Sequence, residues 1–488
     1  MKQVVHVIIL VSSLICTAHV SGNDRDQDNA IIDTLILSGS IDDTLTPGIP
    51  FSEPALTRLC DNLLTPWQDS GYYYAVIHPI RIAKNRDRIS INAKVEAGPK
   101  VRIGRLLFSG LSRTAPATLH RYFPLVADSL LIERRLLSVA EAASRIGYLH
   151  FMEPIHIRAL EGYTVADIEC YFKEVRPVEI SAGGGYVPDD PTGLVWHLDL
   201  RFNNLFGQGR CASLLSQRRE RNHNELRLGY TQPVFWLGPG SAEFQVATRD
   251  YRDLFYEFLL RSSYRLDRWR ETSTALSLAY RSVEPVGDRS SFSVYAVEHQ
   301  IQWRTLDNIF NPSRGVNLNW SLLYSYRRHK QDSAATGVAF DETRIAISIS
   351  TYQPLVGSLT GHIGLRYRGL ETEEDLPPVS ELVLVGGPGS LRGYRNEQFA
   401  VVRAAIITVE PRLRFESGYI FGFADGAYLN NRVADADEGV RTQEDFHWGF
   451  GIGIAVQSAT RGVRISLGLN PDTPIGQARL SIEISSEI

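Results

Sequence analysis

Leu194-Val195-Trp196-His197-Leu198-Asp199-Leu200-Arg201-Phe202 places a large apolar side chain at every second position, and from Trp196 onward a polar one between each pair. A strand sends successive side chains to opposite faces, so this segment has an oily face and a wet face. The same rhythm returns in Tyr256, Phe258, Leu260, Tyr264 and Leu266, and in Tyr295, Val297, Ile301 and Trp303. It continues through Val316, Leu318, Trp320, Leu322, Tyr324 and Tyr326, and through Phe446, Trp448, Phe450, Ile452, Ile454 and Val456. Shorter copies are Ile345, Ile347, Ile349; Val463, Ile465, Leu467, Leu469; and Leu480, Ile482, Ile484. About 9–11 residues of tilted strand cross a bilayer core. A sheet can live there only as a closed barrel, because an unpaired strand edge cannot face lipid. The pattern therefore predicts a transmembrane β-barrel from Val178 to Ile488.

Composition agrees with that reading. The chain has 488 residues, 43% of them hydrophobic, and a mean hydropathy of −0.14. Alternating strands show such an average, whereas a bundle of membrane helices would be far more apolar. The 21 Tyr and 7 Trp suit interfacial girdles. A soluble all-β protein of this length would divide into domains joined by linkers, and no linker interrupts Val178 to Ile488. A net charge of −4 without a basic run gives no reason to expect nucleic acid. No nucleophile, phosphate-cradling or HExxH motif is present, so neither an enzyme, a cofactor nor a metal is expected. Cys60, Cys170 and Cys211 lack the spacing of a metal site or a disulfide framework.

The N-terminal third has a different texture. Lys2 precedes an apolar run from Val4 to Cys16 and small residues at Ser21-Gly22, the pattern of a signal peptide over 1–22. An internal repeat follows. Asp69-Ser70-Gly71-Tyr72, then His78-Pro79-Ile80, is echoed by Arg145-Ile146-Gly147-Tyr148, then Glu153-Pro154-Ile155, about 75 residues later. Each copy reads as strand, helix, helix, strand, strand. Expected elements are strands from Ile31 and Val101, a helix over Glu53 to Leu64, and a helix over Ile132 to Arg145 with Leu136, Leu137, Val139, Ala140 and Ala143 on one face. Gly71 and Gly147 are expected to be left-handed caps at helix ends.

Such units, two of them before a barrel, resemble the POTRA domains and barrel of the BamA/TamA family of outer-membrane assembly and transport proteins. The resemblance implies α+β POTRA-like repeats at 31–99 and 100–176, facing the periplasm. An all-β transmembrane barrel of about 16 antiparallel strands would follow at 177–488. Further segments carry the likeness: Asn203-Asn204-Leu205-Phe206-Gly207-Gln208-Gly209 resembles an early hairpin, and Asn311-Pro312-Ser313-Arg314-Gly315 a mid-barrel turn.

Five glycines and prolines fall within Val385-Gly386-Gly387-Pro388-Gly389-Ser390-Leu391-Arg392-Gly393-Tyr394. They break any strand, inside a long connection at 370–400. The residues allow two readings: a bare loop tip with Arg392 solvated, or an inward-folded loop in which Arg392 meets a carboxylate of the following strands, Glu410 or Asp425. Glu371, Glu373, Glu374 and Asp375 are expected to keep the loop's outer part solvated. The family likeness sharpens this. Leu391-Arg392-Gly393-Tyr394 is similar to the family's (V/I/L)RG(F/Y) loop motif, and Phe423-Ala424-Asp425 to its F-x-D strand motif. It implies a lock between Arg392 and Asp425, with Glu410 as the nearby acid. Ala427 stands where the family often has glycine.

A seam between a first strand at about Val178 to Val187 and a last at about Ile475 to Ser485 is the expected working edge. Gly183, Gly184 and Gly185 weaken the first; Leu480 and Ile482 mark the lipid side of the last. The chain ends in Ile488, where the family commonly has an aromatic residue. The expected function is assembly or insertion of outer-membrane proteins, with unfolded client strands, the lipid bilayer and periplasmic accessory proteins as partners. A two-partner-type secretion pore and a passive pore are the alternatives.

Overall fold

The computed structural model describes residues 31–486, except 41, 86, 124, 145, 175–176, 187–193, 219–222, 235–239, 252–253, 270, 288–289, 309–310, 330–338, 436–438, 458–460, 473 and 475–477. The signal segment expected at 1–22 lies outside the described residues. The chain divides into two compact units, Met1–Val175 and Arg176–Ile488.

The first unit holds two small mixed α/β layers. In the first, β1 (Ile31–Gly39), β2 (Asp43–Leu45) and β3 (Ile49–Pro50) precede α1 (Glu53–Gln68), then β4 (Val76–Asn85) and β5 (Arg88–Glu96). β1 runs parallel to β5, which pairs antiparallel with β4. Alternate residues Ile89, Ile91, Ala93 and Val95 are buried with Ile32, Leu35, Leu37 and Leu56 of α1. The second has β6 (Arg102–Ser109), α2 (Pro116–Leu119), α3 (Glu133–Ser144), β7 (Leu149–Ala159) and β8 (Val165–Glu174), ordered β6-β8-β7. Leu136, Val139 and Ala143 of α3 lie one helical face apart and are buried with Ile168, Cys170 and Phe172 of β8.

Three expectations are corrected here. The first repeat has one helix among its described residues, because β2 and β3 occupy the stretch where another was expected. Pro47, Gly48 and Pro50 are poor helix residues, and Gly48 has φ of 60°. The helix expected to end at Leu64 continues through Pro66 to Gln68. Gly71 has φ of 93°, beyond what a side chain tolerates, but Gly147 is not among the glycines with positive φ. The two Gly-Tyr steps are therefore not equivalent caps.

The second unit is one antiparallel sheet of 16 strands. It begins with β9 (Val178–Tyr186), β10 (Leu194–Leu205), β11 (Arg210–Arg218), β12 (His223–Val234) and β13 (Gly240–Tyr251). Next come β14 (Phe255–Trp269), β15 (Thr272–Pro285), β16 (Phe292–Arg304), β17 (Gly315–His329), β18 (Ala339–Pro354) and β19 (Leu359–Thr372). A small hairpin, β20 (Val383–Val385) with β21 (Phe399–Val401), lies inside the long loop. The sheet resumes with β22 (Arg403–Phe415), β23 (Gly418–Asp435), β24 (Gly439–Gln457), β25 (Arg461–Leu469) and β26 (Arg479–Ser486). Each strand pairs with its neighbour in sequence, β22 taking β19 as partner across the loop.

One face of this sheet is apolar. Leu228, Leu260, Leu278, Val297, Ile363, Val409 and Ile452 on it are all exposed. On soluble surfaces contiguous patches of this size are rare, and lipid accounts for this one. The opposite face carries Arg, Glu, Gln and Ser, and the 373–402 segment packs against it. The turn between β16 and β17 reaches Asn311 to β22 and β23: its Nδ2 donates to the carbonyls of Phe415 (3.3 Å) and Gly418 (3.1 Å). Arg414 returns two hydrogen bonds to Asn311, each 2.9 Å. Residues over a hundred positions apart meet because the sheet curls.

Candidate functional site

The loop after β19 is held by its tip and by its shoulder. At the tip Arg392 is 5% exposed. Its Nε and Nη2 donate to the two oxygens of Asp425 at 2.7 and 2.6 Å, the fork geometry that suits a carboxylate. Its Nη1 donates to Glu410 at 2.6 Å, and its guanidinium carbon stands 3.6 Å from the ring centroid of Phe423. Thr408 donates to Asp425 at 2.8 Å, fixing the carboxylate from behind. Glu410 also receives Arg412 at 2.7 Å and contacts Arg464, whose Nε lies 3.9 Å from Glu483 on β26. Three guanidiniums thus face three carboxylates from the loop to the last strand. The strands supply these groups because side chains two apart share a face: Glu410 and Arg412 on β22, Phe423 and Asp425 on β23.

The residues around Arg392 explain how it gets there. Gly393 has φ of 91°, and a Cβ on it would stand 2.3 Å from the carbonyl oxygen of Leu469. A Cβ on Gly449 of β24 would meet the Arg392 carbonyl at 1.8 Å. Asn470 donates to the Gly393 carbonyl at 2.7 Å. Leu391 is fully buried in an apolar cluster with Val385, Tyr394, Val401, Ile406, Ala427 and Leu429. Ala427, where the family often has glycine, is buried in the same cluster. Tyr394 packs edge-on to His447, with ring centroids 5.5 Å apart. Arg366 of β19 donates to the carbonyls of Gly389 and, at 2.8 Å, Ser390.

The shoulder is anchored with the opposite polarity. Glu381, fully buried, receives Arg281 of β15 at 2.6 Å and Arg344 of β18, and its carbonyl receives Arg344 at 2.8 Å. Glu374 contacts Arg327 of β17, a fully buried arginine that also donates to Glu342 at 2.8 Å. Arg281 in turn donates to Glu257 at 3.1 Å, and Glu257 receives Arg249 at 3.0 Å. Charges of alternating sign so run from the wall into the loop and back. The expectation that Glu374 is solvated is corrected: its side chain is 20% exposed and paired, whereas Glu371 stays outside, holding the exposed Arg403 at 2.5 Å. Glu381 was not singled out from sequence. The one available signal was an acid between Val379 and Leu382, apolar neighbours unlike those of a solvated loop.

The structure brings Leu391, Arg392, Gly393, Tyr394, Glu410, Phe423 and Asp425 together. The expected seam residues lie elsewhere. Gly183, Gly184 and Gly185 pair with His197, Trp196 and Val195 of β10, and Leu480 and Ile482 pair with Leu467 and Ile465 of β25. Among the described residues no ladder joins β9 to β26. Cys60, Cys170 and Cys211 are free, and no group of acids, histidines and cysteines suited to a metal occurs among the described residues.

Residues 204–487 match the Omp85 superfamily domain. The chain belongs to the Omp85 superfamily. A curated relative, the outer membrane protein assembly factor BamA of Neisseria meningitidis serogroup B, is 21% identical over 218 residues, 44% of this chain and 26% of that protein. The chain thus aligns with about a quarter of that relative's length. Among solved structures, BamA of Haemophilus ducreyi lacking POTRA domains 1–3 superposes with a TM-score of 0.62 at 16% identity, covering 93% of this chain and 99% of that one. CdiB of Acinetobacter baumannii gives 0.54 at 13% identity, covering 99% and 97%. At these identities the likeness shows the fold: a 16-stranded antiparallel sheet like that of those barrels, preceded by a POTRA-like mixed α/β region. Membership places the protein in the bacterial outer membrane, in a superfamily of assembly and transport factors.

Proposed function

We propose that the chain is an outer-membrane insertion factor whose barrel closes by weak pairing of β9 with β26 and opens there to receive unfolded client strands. The carrying observation is that β9 and β26 stand at the two ends of the sheet, each with a single paired neighbour, and that no ladder joins them among the described residues. An unpaired strand edge leaves backbone donors and acceptors that an incoming strand can satisfy. Gly183 to Gly185 weaken β9 further by removing side-chain packing.

In this reading 1–22 is a signal peptide, 31–99 and 100–176 are POTRA-like repeats in the periplasm, and 177–488 is the barrel. Client segments add to the outer strands β4 and β7. Both edges are interrupted mid-strand, by register shifts at Pro79/Arg81 and Met152/His156, so an added strand pairs with only part of either edge. The loop is locked to the polar face at both tip and shoulder, a device a passive pore does not need. Periplasmic accessory proteins would dock on the same repeats.

The test is depletion in the native host followed by a census of outer-membrane and secreted proteins. Loss of several unrelated barrels is the expected result. Loss of one secreted polypeptide with normal barrels would replace this proposal with the export-pore reading. No change in either class would refute both.

A further inference from the structure

On the polar face of β14 to β19 lies a cavity of about 290 Å³ whose lining shares Arg366 with the contacts that hold the loop. Its lining contains Arg265, Arg366 and Arg368, the carboxamides of Gln300, Gln302 and Asn319, and no carboxylate. The register explains its shape. One row across the strands reads Arg265, Ala275, Gln300, Ser321, Ala346, Arg368. The next reads Ser273, Gln302, Asn319, Ser348, Arg366. Small side chains hollow out the centre, and guanidiniums stand at both ends.

The charges differ from those of the two loop anchors. Arg281, Arg327, Arg344, Arg392 and Arg412 each meet a carboxylate at hydrogen-bond distance. Arg366 donates only to neutral oxygens, those of Gly389, Ser390 and Thr408. Arg368 has no hydrogen-bond or ion-pair partner among the described residues, and Arg265 has only Glu243, at 3.7 Å. A cavity with uncompensated guanidiniums and amide donors has the chemistry of an oxyanion site.

We infer that this cavity binds an oxyanion, a phosphate or carboxylate group, at its Arg368 end, where Arg366 and Arg368 stand two residues apart on β19. The inference concerns the barrel wall and stands apart from the client-insertion reading. Because Arg366 also holds the loop carbonyls, an anion in the cavity would draw on the same guanidinium that steadies the loop tip.

The experiment uses the full chain in detergent micelles, with inorganic phosphate titrated and followed by phosphorus NMR line broadening, and succinate as a second probe. Saturable binding of at least one probe is expected, and the tighter of the two identifies the source as phosphate or carboxylate. Arg368→Gln should weaken it about tenfold, the loss of one charge-assisted contact, while Arg265→Gln, at the far end of the row, should leave it within twofold; sheet circular dichroism and loop protease resistance stay unchanged in both. Arg368→Lys, which keeps the charge and should weaken binding less than Arg368→Gln, decides the matter where Arg368→Gln fails to fold. Absence of saturable binding by either probe, or affinity within twofold of wild type in folded Arg368→Gln, overturns the inference.

Discussion

Replacing Arg392 by alanine removes a cation that two carboxylates share, and those carboxylates do not suffer equally. Glu410 keeps Arg412 and Arg464. Asp425 keeps only neutral donors, the Thr408 hydroxyl at 2.8 Å and the backbone amide of residue 392 at 3.2 Å. Breaking one side of a buried ion pair typically costs about 3–5 kcal/mol, because the remaining charge is left desolvated. The lower figure corresponds to roughly a hundredfold change in an equilibrium, at about 1.4 kcal/mol per factor of ten. The loop tip should therefore detach about a hundred times more often in Arg392→Ala. Limited trypsin cleavage within the loop, at Arg395, reports that opening when cleavage is slow relative to reclosing. Lysine keeps the charge but loses the fork, so Arg392→Lys should fall between the two. Adding Asp425→Asn to Arg392→Ala removes the orphaned charge and should recover much of the loss. The reasoning is refuted if Arg392→Ala folds normally and its loop is cleaved within threefold of the wild-type rate, or if Asp425→Asn makes the double variant worse.

Glu381→Gln should loosen the shoulder by a smaller amount, about 1–3 kcal/mol, since Arg281 retains Glu257 and Arg344 retains Glu342 at 3.5 Å; combined with Arg392→Ala in a double-mutant cycle, non-additive trypsin sensitivity would show that the anchors release together. Gly393→Ala should lower the yield of heat-modifiable folded barrel on gels, because its Cβ would meet the Leu469 carbonyl at 2.3 Å, whereas Gly389→Ala, with nothing within 4 Å, should be neutral. In the N-terminal unit burial pushes the Glu174 carboxyl up, but hydrogen bonds from Ser112, the Arg113 amide and Thr114 outweigh it and hold the group at about 2. A depressed folded value stabilises above the unfolded carboxylate range and loses that contribution as pH falls toward 2; the protection of the Thr114 amide relative to its intrinsic exchange rate should fall over that window, and Glu174→Gln should abolish that change in protection.

The barrel sheet was legible because lipid imposes one rule on every strand, and the rule appears as period two in Leu194–Phe202 or Phe446–Val456 without reference to partners. The tip of the loop was legible because glycines confine the possibilities around Arg392 and because its acceptors lie on the next two strands. The shoulder was not. Glu381 meets Arg281 and Arg344, side chains 100 and 37 positions away, and nothing local distinguishes a buried acid from a solvated one. The missing helix of the first repeat shows the converse error. Similarity to the second repeat outweighed Pro47, Gly48 and Pro50, which stated locally that no helix would form there.

The polarity of the shoulder has one more consequence. Glu374 and Glu381 neutralise Arg281, Arg327 and Arg344, so the loop serves as the wall's built-in counter-ion. Withdrawing it would leave those three guanidiniums sharing two wall carboxylates, Glu257 and Glu342, an excess of one positive charge. An acidic group would then be favoured over a basic one in the place the loop had left.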